Sequence, residues 1–443
     1  MIISADPREG RQALISKIID KGKKIPSRFG TCFTIEPELL VIENPEYIGR
    51  IDAKAWDICG ESYADRVEPL FKAAAEKLKE TPFTRRVSLP VWRPKDHLCH
   101  TPPAVTEMSF LVVDGKLHAT AYVRSLDVLN YFKHTSDFVT YCLESIAELS
   151  GIEPGSSAFL IASPHIYERD EVRARNEAGE TEYSEVFGVH ELATHLVEDY
   201  MSTAWHSALE AIYYSGKEKR TEWGELFEGQ AESKFVHRMF IEVRNPYEHA
   251  IHDKAPFTKK YGIEYAHEYV IYAACMDREV KENILKEGET YTYAERARYC
   301  EADDVKVDQL YTCIEKLKKD RFRRDCYVGI SRPHDITSHE PPCLRGYQFL
   351  VSVERSVGSV SNTSASNAKT LNGIFYMRSN DAYGAMHANM FAFSLLTQYI
   401  AELTGFDHHK YFHFALDAHI YGEFLDSVRE ILEPETPGFS ARK

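Results

Sequence analysis

The chain lacks most features that mark membrane or nucleic-acid-binding proteins. No apolar run reaches the roughly 18 residues needed to span a bilayer, and the opening Met-Ile-Ile-Ser-Ala-Asp-Pro-Arg-Glu has no secretory-signal pattern. Both absences lead to the expectation of a cytoplasmic protein without membrane contact. Positive charge is also scarce: 53 Lys and Arg against 68 Asp and Glu leave a formal charge of −15, which argues against a nucleic-acid polymer or an anionic membrane as partner. Phosphate would have to be met locally, by a few converging arginines. Regular cysteine spacing is missing, and nine cysteines, an odd number, suit reduced thiols better than a disulfide framework. Metal-ligand spacing is absent too. His190-Glu191-Leu-Ala-Thr-His195 resembles a zinc-protease helix, but its second His stands at i+5, about 100° around a helix from where i+4 would put it. His97, Cys99 and His100 have no second ligand cluster at zinc-site spacing, so a solvated loop is the reading and no metal is expected.

What is present is a text written twice. Tyr122 to Asp127, Ile146 to Gly151 and His165 to Tyr167 return 254 positions later as Tyr376 to Asp381, Ile400 to Gly405 and His419 to Tyr421. Upstream, Arg85-Arg86 and Pro102-Pro103 return as Arg323-Arg324 and Pro341-Pro342, at offsets of 238 and 239, so an insertion of about 15 residues separates the copies' registers. In that register Ala104 stands opposite Cys343, and Thr135 opposite Asn389. One copy has a thiol where the other has a methyl group.

A chain of 443 residues exceeds what one core usually serves, and two domains follow from length as well as from duplication. In the first copy, strand-forming residues Met108 to Val113 and Leu117 to Val123 flank Asp114-Gly115, a hairpin signal. The second copy keeps the strands, Tyr347 to Val353 and Leu371 to Met377, but replaces the turn with a Ser- and Asn-rich stretch, Glu354 to Thr370, that reads as a mobile surface loop. Amphipathic helices follow, through Phe138, Cys142, Leu143, Ile146 and Leu149 before Gly151, and through Phe391, Leu395, Leu396, Tyr399 and Leu403 before Gly405. Each copy is thus a unit of mixed sheet and long helix. The stretch between the copies, charged and helical in pattern, matches nothing in the duplication and reads as a connector packed on the surface. The expected domains are 1–170, a connector 171–235, and 236–443. Asn44-Pro45 mirrors Asn245-Pro246, and Tyr63-Ala-Asp-Arg66 mirrors Tyr293-Ala-Glu-Arg296.

The informative constellation is in the second copy: Arg323-Arg324, Pro342-Cys343, Gln348-Phe349, Arg378-Ser379-x-Asp381, Asn389 and Asp417-Ala-His419-Ile-Tyr421. Jointly it resembles the signature of the thymidylate synthase family, including the related pyrimidine hydroxymethylases; Tyr293-Ala-Glu-Arg is similar to that family's Tyr-Gly motif. The likeness covers residues 236 to 425 strongly and about 35 to 170 more weakly. Leu344 departs from the Cys-His pair of bacterial members, and Pro-Pro-Cys-Leu resembles the short archaeal form.

The resemblance implies an α+β fold of two tandem thymidylate-synthase-like domains, packed as a pseudo-dimer, with one working site. Carbon 5 of uracil is a poor nucleophile, so such an enzyme adds a thiolate at carbon 6 to make the ring an enolate. Cys343 is the implied nucleophile. A free thiol is mostly protonated at neutral pH and a nearby cation favours the thiolate, a part implied for Arg378, which would also bind phosphate with Ser379. The amide of Asn389 both donates and accepts, matching uracil's carbonyl and N–H edge, whereas the family's cytosine branch tends to carry Asp there. By the same resemblance Gln348 and Asp417 belong to the substrate site, His419 and Tyr421 meet the sugar hydroxyl, and Tyr293 helps remove the carbon 5 proton. Asp381 faces the cofactor, 5,10-methylenetetrahydrofolate or a tetrahydromethanopterin analogue. The family's catalytic glutamate falls on Glu268 or Glu264, with Glu268 preferred.

The first copy keeps Arg85-Arg86, Arg124-Ser125, Asp127, His165 and Tyr167, but has Ala104 for the thiol, Ser109 for Gln348, Thr135 for Asn389 and Ser163 for Asp417. Family dimers exchange twin arginines, which implies that Arg85 and Arg86 complete the phosphate cage around Cys343. The implied enzyme transfers a one-carbon unit to carbon 5 of a uracil-type nucleotide monophosphate, giving methyl or hydroxymethyl, as a monomeric pseudo-dimer or an oligomer of it. The alternative is a non-catalytic nucleotide-binding or regulatory homologue.

Overall fold

The computed structural model describes residues 1–49, 60–179, 181–222, 231–273, 276–302, 305–352 and 370–433. In chain order the first half holds β1 (Ile2–Ser4), α1 (Pro7–Lys21), β2 (Lys23–Ile25), β3 (Cys32–Thr34), β4 (Glu38–Ile42), α2 (Tyr63–Glu80), β5 (Ser88–Pro90), β6 (Val105–Val113), β7 (Lys116–Val123), β8 (Leu126–Asp127), α3 (Val128–Ser150), β9 (Glu153–Ile161), β10 (Pro164–Tyr167) and α4 (Glu171–Ala178). The rest opens with β11 (Gly188–His190), β12 (Ala193–Glu198), α5 (Met201–Ser215), β13 (Lys217–Arg220) and β14 (Glu232–Val243). It continues through α6 (Lys259–Tyr265), α7 (Tyr293–Arg298), the β15 (Cys300–Ala302) and β16 (Val305–Val307) pair, α8 (Gln309–Lys319), β17 (Tyr327–Gly329) and β18 (Leu344–Val351). β19 (Thr370–Met377), β20 (Asn380–Asp381), α9 (His387–Thr404), β21 (His408–Tyr421) and α10 (Leu425–Leu432) complete it.

The sheets are mixed. The first runs β1-β4-β9-β7-β6-β5, with a smaller sheet β2-β3-β10-β8 beside it; the second runs β11-β12-β14-β21-β19-β18-β17, with β13 on β14 and β20 on β21. The expected hairpin joins β6 and β7, Asp114 and Gly115 both taking the positive φ of a tight turn (50° and 77°). The expected long helices are α3 and α9, ending on Gly151 and Gly405, each at φ 74° in the left-handed conformation that lets a chain leave a helix. The expected loop at Glu354 to Thr370 falls almost wholly outside the described residues.

Strand alternation explains how the sheets meet. On β19, Ile374 and Tyr376 point one way and Phe375 and Met377 the other. The first pair joins Leu39, Val41, Leu111, Tyr122 and Leu160 of the first sheet in a shared core, with Phe240, Phe412 and Phe414. The second pair packs under α5, α8 and α9, through Trp205, Leu310, Phe393 and Leu396. The two sheets therefore lie face to face, with helices on their outer faces.

Three expectations are corrected. The stretch 171–235, read as a surface connector unlike either copy, supplies β12 and α5 to the second sheet. β12 pairs in parallel with β14 across α5 just as β1 pairs with β4 across α1, and Asn245 N donates to Asp199 O (2.8 Å) as Asn44 N does to Ala5 O (3.0 Å). The second copy of the fold thus begins near residue 188. Backbone pairing constrains only the alternation of buried residues, so this unit kept its geometry after its wording diverged. The register of the twin arginines also shifts by one. Ser88 pairs with Ser109 and Tyr327 with Gln348, both at an offset of 239, so Arg85 mirrors Arg324 and Arg86 mirrors Asp325. Six described cysteines carry free thiols, but Cys99 is disulfide-bonded, against the expectation of reduced thiols throughout.

Candidate active site

Cys343 is half-buried at the entry to β18. The backbone of Arg378, at the end of β19, donates to the Cys343 carbonyl at 2.9 Å, which fixes the two residues side by side. The Arg378 guanidinium spreads over three carbonyls, Pro342 O (3.1 Å), Pro341 O (2.7 Å) and Arg85 O (2.8 Å), and its Nη2 lies 3.7 Å from Cys343 Sγ. A charge held by four contacts is a fixed charge beside the sulfur.

Arg85 arrives from the first half, on the segment before β5. Its Nη1 donates to His419 Nε2 at 2.6 Å, its Nη2 donates to Tyr421 Oη at 3.0 Å, and its guanidinium is 3.6 Å from Asp417. Because a guanidinium only donates, His419 Nε2 must accept, which leaves the proton on Nδ1, 2.8 Å from Asp417 Oδ1. Burial pushes the Asp417 carboxyl up, but Lys219, His419 and Arg85 together hold it far below the usual carboxylate range. Lys219, on β13, is ion-paired to the second Asp417 oxygen. Arg86 Nε meets Glu222 at 2.6 Å, and Lys77 of α2, which donates to Ile336 O at 2.7 Å, stands within electrostatic reach of Arg86 and Arg378. Ser379 is buried at the end of β19.

A row of tyrosines closes another side. Tyr261, Tyr265 and Tyr269 stack at 6.1 and 5.4 Å, and Tyr269 meets Tyr293 edge to face at 5.1 Å. Tyr265, Tyr269, Tyr291 and Tyr293 all lie within electrostatic reach of Cys343. Tyr265 Oη donates to Asn389 Oδ1 at 2.8 Å, and Asn389 Nδ2 faces Met377 Sδ at 4.0 Å. The Tyr293 hydroxyl accepts from Leu344 N at 3.4 Å, next to the thiol.

The structure thus brings Cys343, Arg378, Arg85, Tyr293, Asn389, Asp417, His419 and Tyr421 into one neighbourhood, with Arg86 at its edge. Four expected residues stand differently. Glu268 is 62% exposed and paired to Lys286, and Glu264 is 57% exposed beside Lys260. After α6 the chain widens into a π-helical turn, Ala266–Ile271; Tyr265 and Tyr269 are half-buried on this stretch, whereas Glu264 and Glu268 are exposed. Gln348 is fully buried with its amide engaged elsewhere: it donates to Arg124 O (3.1 Å) and Arg324 O (2.9 Å) and accepts from Tyr122 Oη (3.0 Å), so it ties β18 to the first half. Asp381 caps the turn after β20, its Oδ1 accepting from Tyr383 N (3.1 Å) and Gly384 N (3.0 Å). The residues missed by sequence reading are Tyr265, Tyr269, Tyr291, Lys219, Lys77 and Glu222. The i, i+4 spacing of Tyr261, Tyr265 and Tyr269 was a legible signal for one face of a helix; Lys219 and Glu222 carried none.

The mirror position in the first half repeats the scaffold without a thiol at the place of Cys343; the thiol near Arg324 there is Cys32, buried on β3, 3.9 Å from its Nη1. Arg124 donates to Pro103 O and Pro102 O (both 2.6 Å) and to Arg324 O (3.0 Å), and Arg324 reaches Tyr167 Oη at 3.0 Å. Ala104 stands where the thiol would be. Asp325 replaces the second twin arginine and binds Arg323 and Lys316. The zinc-protease-like stretch lies on β11 and β12, antiparallel strands that put His190 opposite Ala193.

Fold and site define a protein whose cysteine is set against arginines from both halves of a duplicated chain. The thymidylate synthase family model matches residues 41–185 and 259–441, and the chain belongs to that family. Among its relatives, a thymidylate synthase of Malacoplasma penetrans is 30% identical over 130 residues, 29% of this chain and 40% of that protein. A Methanosarcina mazei protein named as a candidate thymidylate synthase is 27% identical over 234 residues, 53% of this chain and 92% of that protein. The match thus spans less than half of the first relative and nearly all of the second. Among the described residues, no helix is long and apolar enough to cross a membrane.

Proposed function

We propose that the protein transfers a one-carbon unit to carbon 5 of a uracil-type nucleotide monophosphate, at a single site in the second half. Cys343 Sγ bonds to carbon 6, and the displaced π electrons become an enolate delocalised onto carbon 4 oxygen. Carbon 5 then forms a bond to the transferred carbon, its proton leaves, and the carbon 6–sulfur bond breaks. The bond from the transferred carbon to its carrier nitrogen must also break; a hydride from the reduced pterin, which would be oxidised to its dihydro form, would give methyl, whereas capture by water would give hydroxymethyl and leave the pterin reduced. When bound, a reduced folate or methanopterin supplies the methylene carbon. The flat tyrosine faces, running from half-exposed Tyr261 to Tyr269, suit a planar pterin, and Asp381 would bind its N–H edge.

The observation that carries this reading is the 3.7 Å contact between Cys343 Sγ and Arg378, in a cage that Arg85 completes from the other half. The guanidinium stands where it can meet the negative charge of the attacking sulfur. Arg378, Arg85, Arg86 and Ser379 would hold the phosphate, which must displace Glu222 from Arg86. Asn389 would read the base edge and Tyr293 would take part in removing the carbon 5 proton. Tyr421 keeps its own hydroxyl proton for the sugar, since its oxygen already accepts from Arg85. The duplicated chain acts as a pseudo-dimer, the first half (1–170) lending Arg85 and Arg86 to the second.

Tritium release from carbon 5 of dUMP, UMP, dCMP and CMP, with and without a one-carbon cofactor, tests the proposal. Release from a uracil nucleotide with a mass adduct on Cys343 is the expected result. Binding of a nucleotide without release or adduct would assign the chain to the non-catalytic alternative.

A further inference from the structure

The helix expected to bring a carboxylate to the base brings a phenol instead, and that phenol touches the one amide that reads the base. We propose that Tyr265 and Met377 together set the pyrimidine specificity of the site by holding the Asn389 side chain in one orientation. This role rests on the reading of the site given above and adds a residue to it.

A primary amide is almost the same shape when turned by 180°, so shape alone does not choose between its two orientations. Hydrogen-bond partners choose. One orientation offers a donor to a carbonyl and an acceptor to a ring N–H, which is uracil's edge; the other reverses both and fits cytosine's amino group and bare ring nitrogen. At Asn389 two neighbours act together. Met377 Sδ, 4.0 Å from Nδ2, is a thioether with no proton to give, so it tolerates the NH2 group and disfavours the oxygen. Tyr265 Oη donates to Oδ1 at 2.8 Å; because a phenol oxygen can also accept, Met377 chooses the orientation and Tyr265 locks the amide in it.

Tyr265 is itself held firmly. Its ring is stacked between Tyr261, at an interplanar angle of 5°, and Tyr269, at 19°. Burial pushes its hydroxyl well above the ordinary phenol range, so it stays an O–H donor at any pH at which the protein works. The four-residue spacing of the three tyrosines keeps this stack on one face of the helix, while Glu264 and Glu268, one position before it, stay exposed. Specificity is therefore written at three positions, two of which touch the base only through the third.

The test compares full-length wild-type protein with Tyr265→Phe and Met377→Leu, measuring dissociation constants by calorimetry and kcat/KM by tritium release for paired uracil and cytosine nucleotides. Losing one hydrogen bond to the amide is expected to lower the uracil-over-cytosine ratio about tenfold in Tyr265→Phe. Met377→Leu, which keeps the side-chain volume, should lower it in the same direction by about threefold. Adding Tyr265→Phe to Asn389→Ala should change the ratio no further, a result that a general loss of packing would not give. A ratio unchanged in both single variants, or one that falls equally with and without Asn389, would overturn the role. Wild-type protein that binds neither nucleotide overturns the reading of the site itself, and this role with it.

Discussion

At the scale of single residues the central relation is between Cys343 and Arg378. Arg378 is held by Pro341, Pro342 and Arg85 carbonyls, so its charge beside the sulfur costs no reorganisation when a thiolate forms. Cys343→Ser should lower tritium release at least about 1,000-fold, since an alcohol is not ionised by a nearby cation at neutral pH, while the nucleotide dissociation constant stays within about threefold. Equal losses in binding and release would mean that the thiol serves the fold and not the reaction. This pair was legible because the thiol and the guanidinium sit in contiguous wording, Pro-Pro-Cys and Arg-Ser-x-Asp. Glu268 was misplaced for a different reason. Glu264 and Glu268 share one four-residue spacing and Tyr261, Tyr265 and Tyr269 another one position on, so periodicity alone did not say which of the two adjacent rows faces the site.

At the scale of elements, the segments before β5 and before β17 are structural mirrors with unequal consequences. Arg85 reaches His419, Tyr421 and Asp417, whereas Arg324 reaches Tyr167 and the buried thiol of Cys32 (3.9 Å), with Ala104 at the position that mirrors Cys343. Arg85→Ala should therefore weaken nucleotide binding by about 10 to 100-fold, the worth of one charge-assisted contact to a dianion. Arg324→Ala should change it less than about twofold. Calorimetric titration of the two variants with the same nucleotide checks both, and equal effects would show that both halves bind. The pairing of the arginines was readable only approximately. Twin arginines in each copy invited alignment at an offset of 238, and only the strand register of β5 on β6 and β17 on β18 fixes 239. The β12–α5–β14 unit was not readable at all, because its repetition lies in backbone pairing and not in side chains.

At the scale of the whole molecule, the buried interface between sheets contains charge as well as apolar surface. Arg238 of β14 crosses into the first sheet, where it donates to Thr120 Oγ1 (2.9 Å), Ser156 Oγ (2.8 Å), Ala119 O (2.9 Å) and Ser156 O (3.2 Å). Burial lowers this guanidinium to about 9, still charged at neutral pH. Truncation by Arg238→Ala strands those acceptors and should cost about 3 kcal/mol in denaturant-unfolding experiments. Around and beyond this interface lie buried histidines kept neutral by desolvation: His118, His195, His409 and His413 at about 3, and His387 at about 4. Their folded values are depressed below an unfolded value of about 6.5. The unfolded chain therefore takes up their protons first, and stability present above pH 6.5 is lost as pH falls through the window from 6.5 toward 4 and 3. Between pH 7 and 5.5 each histidine should remove about 1.2 kcal/mol, or about 6 kcal/mol for the five, comparable to the whole stability of many domains. His97, His165 and His237, pushed down by burial, act with the same sign. Glu107, Asp127 and Asp308, whose carboxyls burial raises, act with the opposite sign but are fewer. The protein should accordingly unfold on mild acidification near pH 5.5, followed by circular dichroism and denaturant titration at fixed ionic strength. A denaturation midpoint that moved little between pH 7 and 5.5 would show that these histidines take up protons within the folded protein.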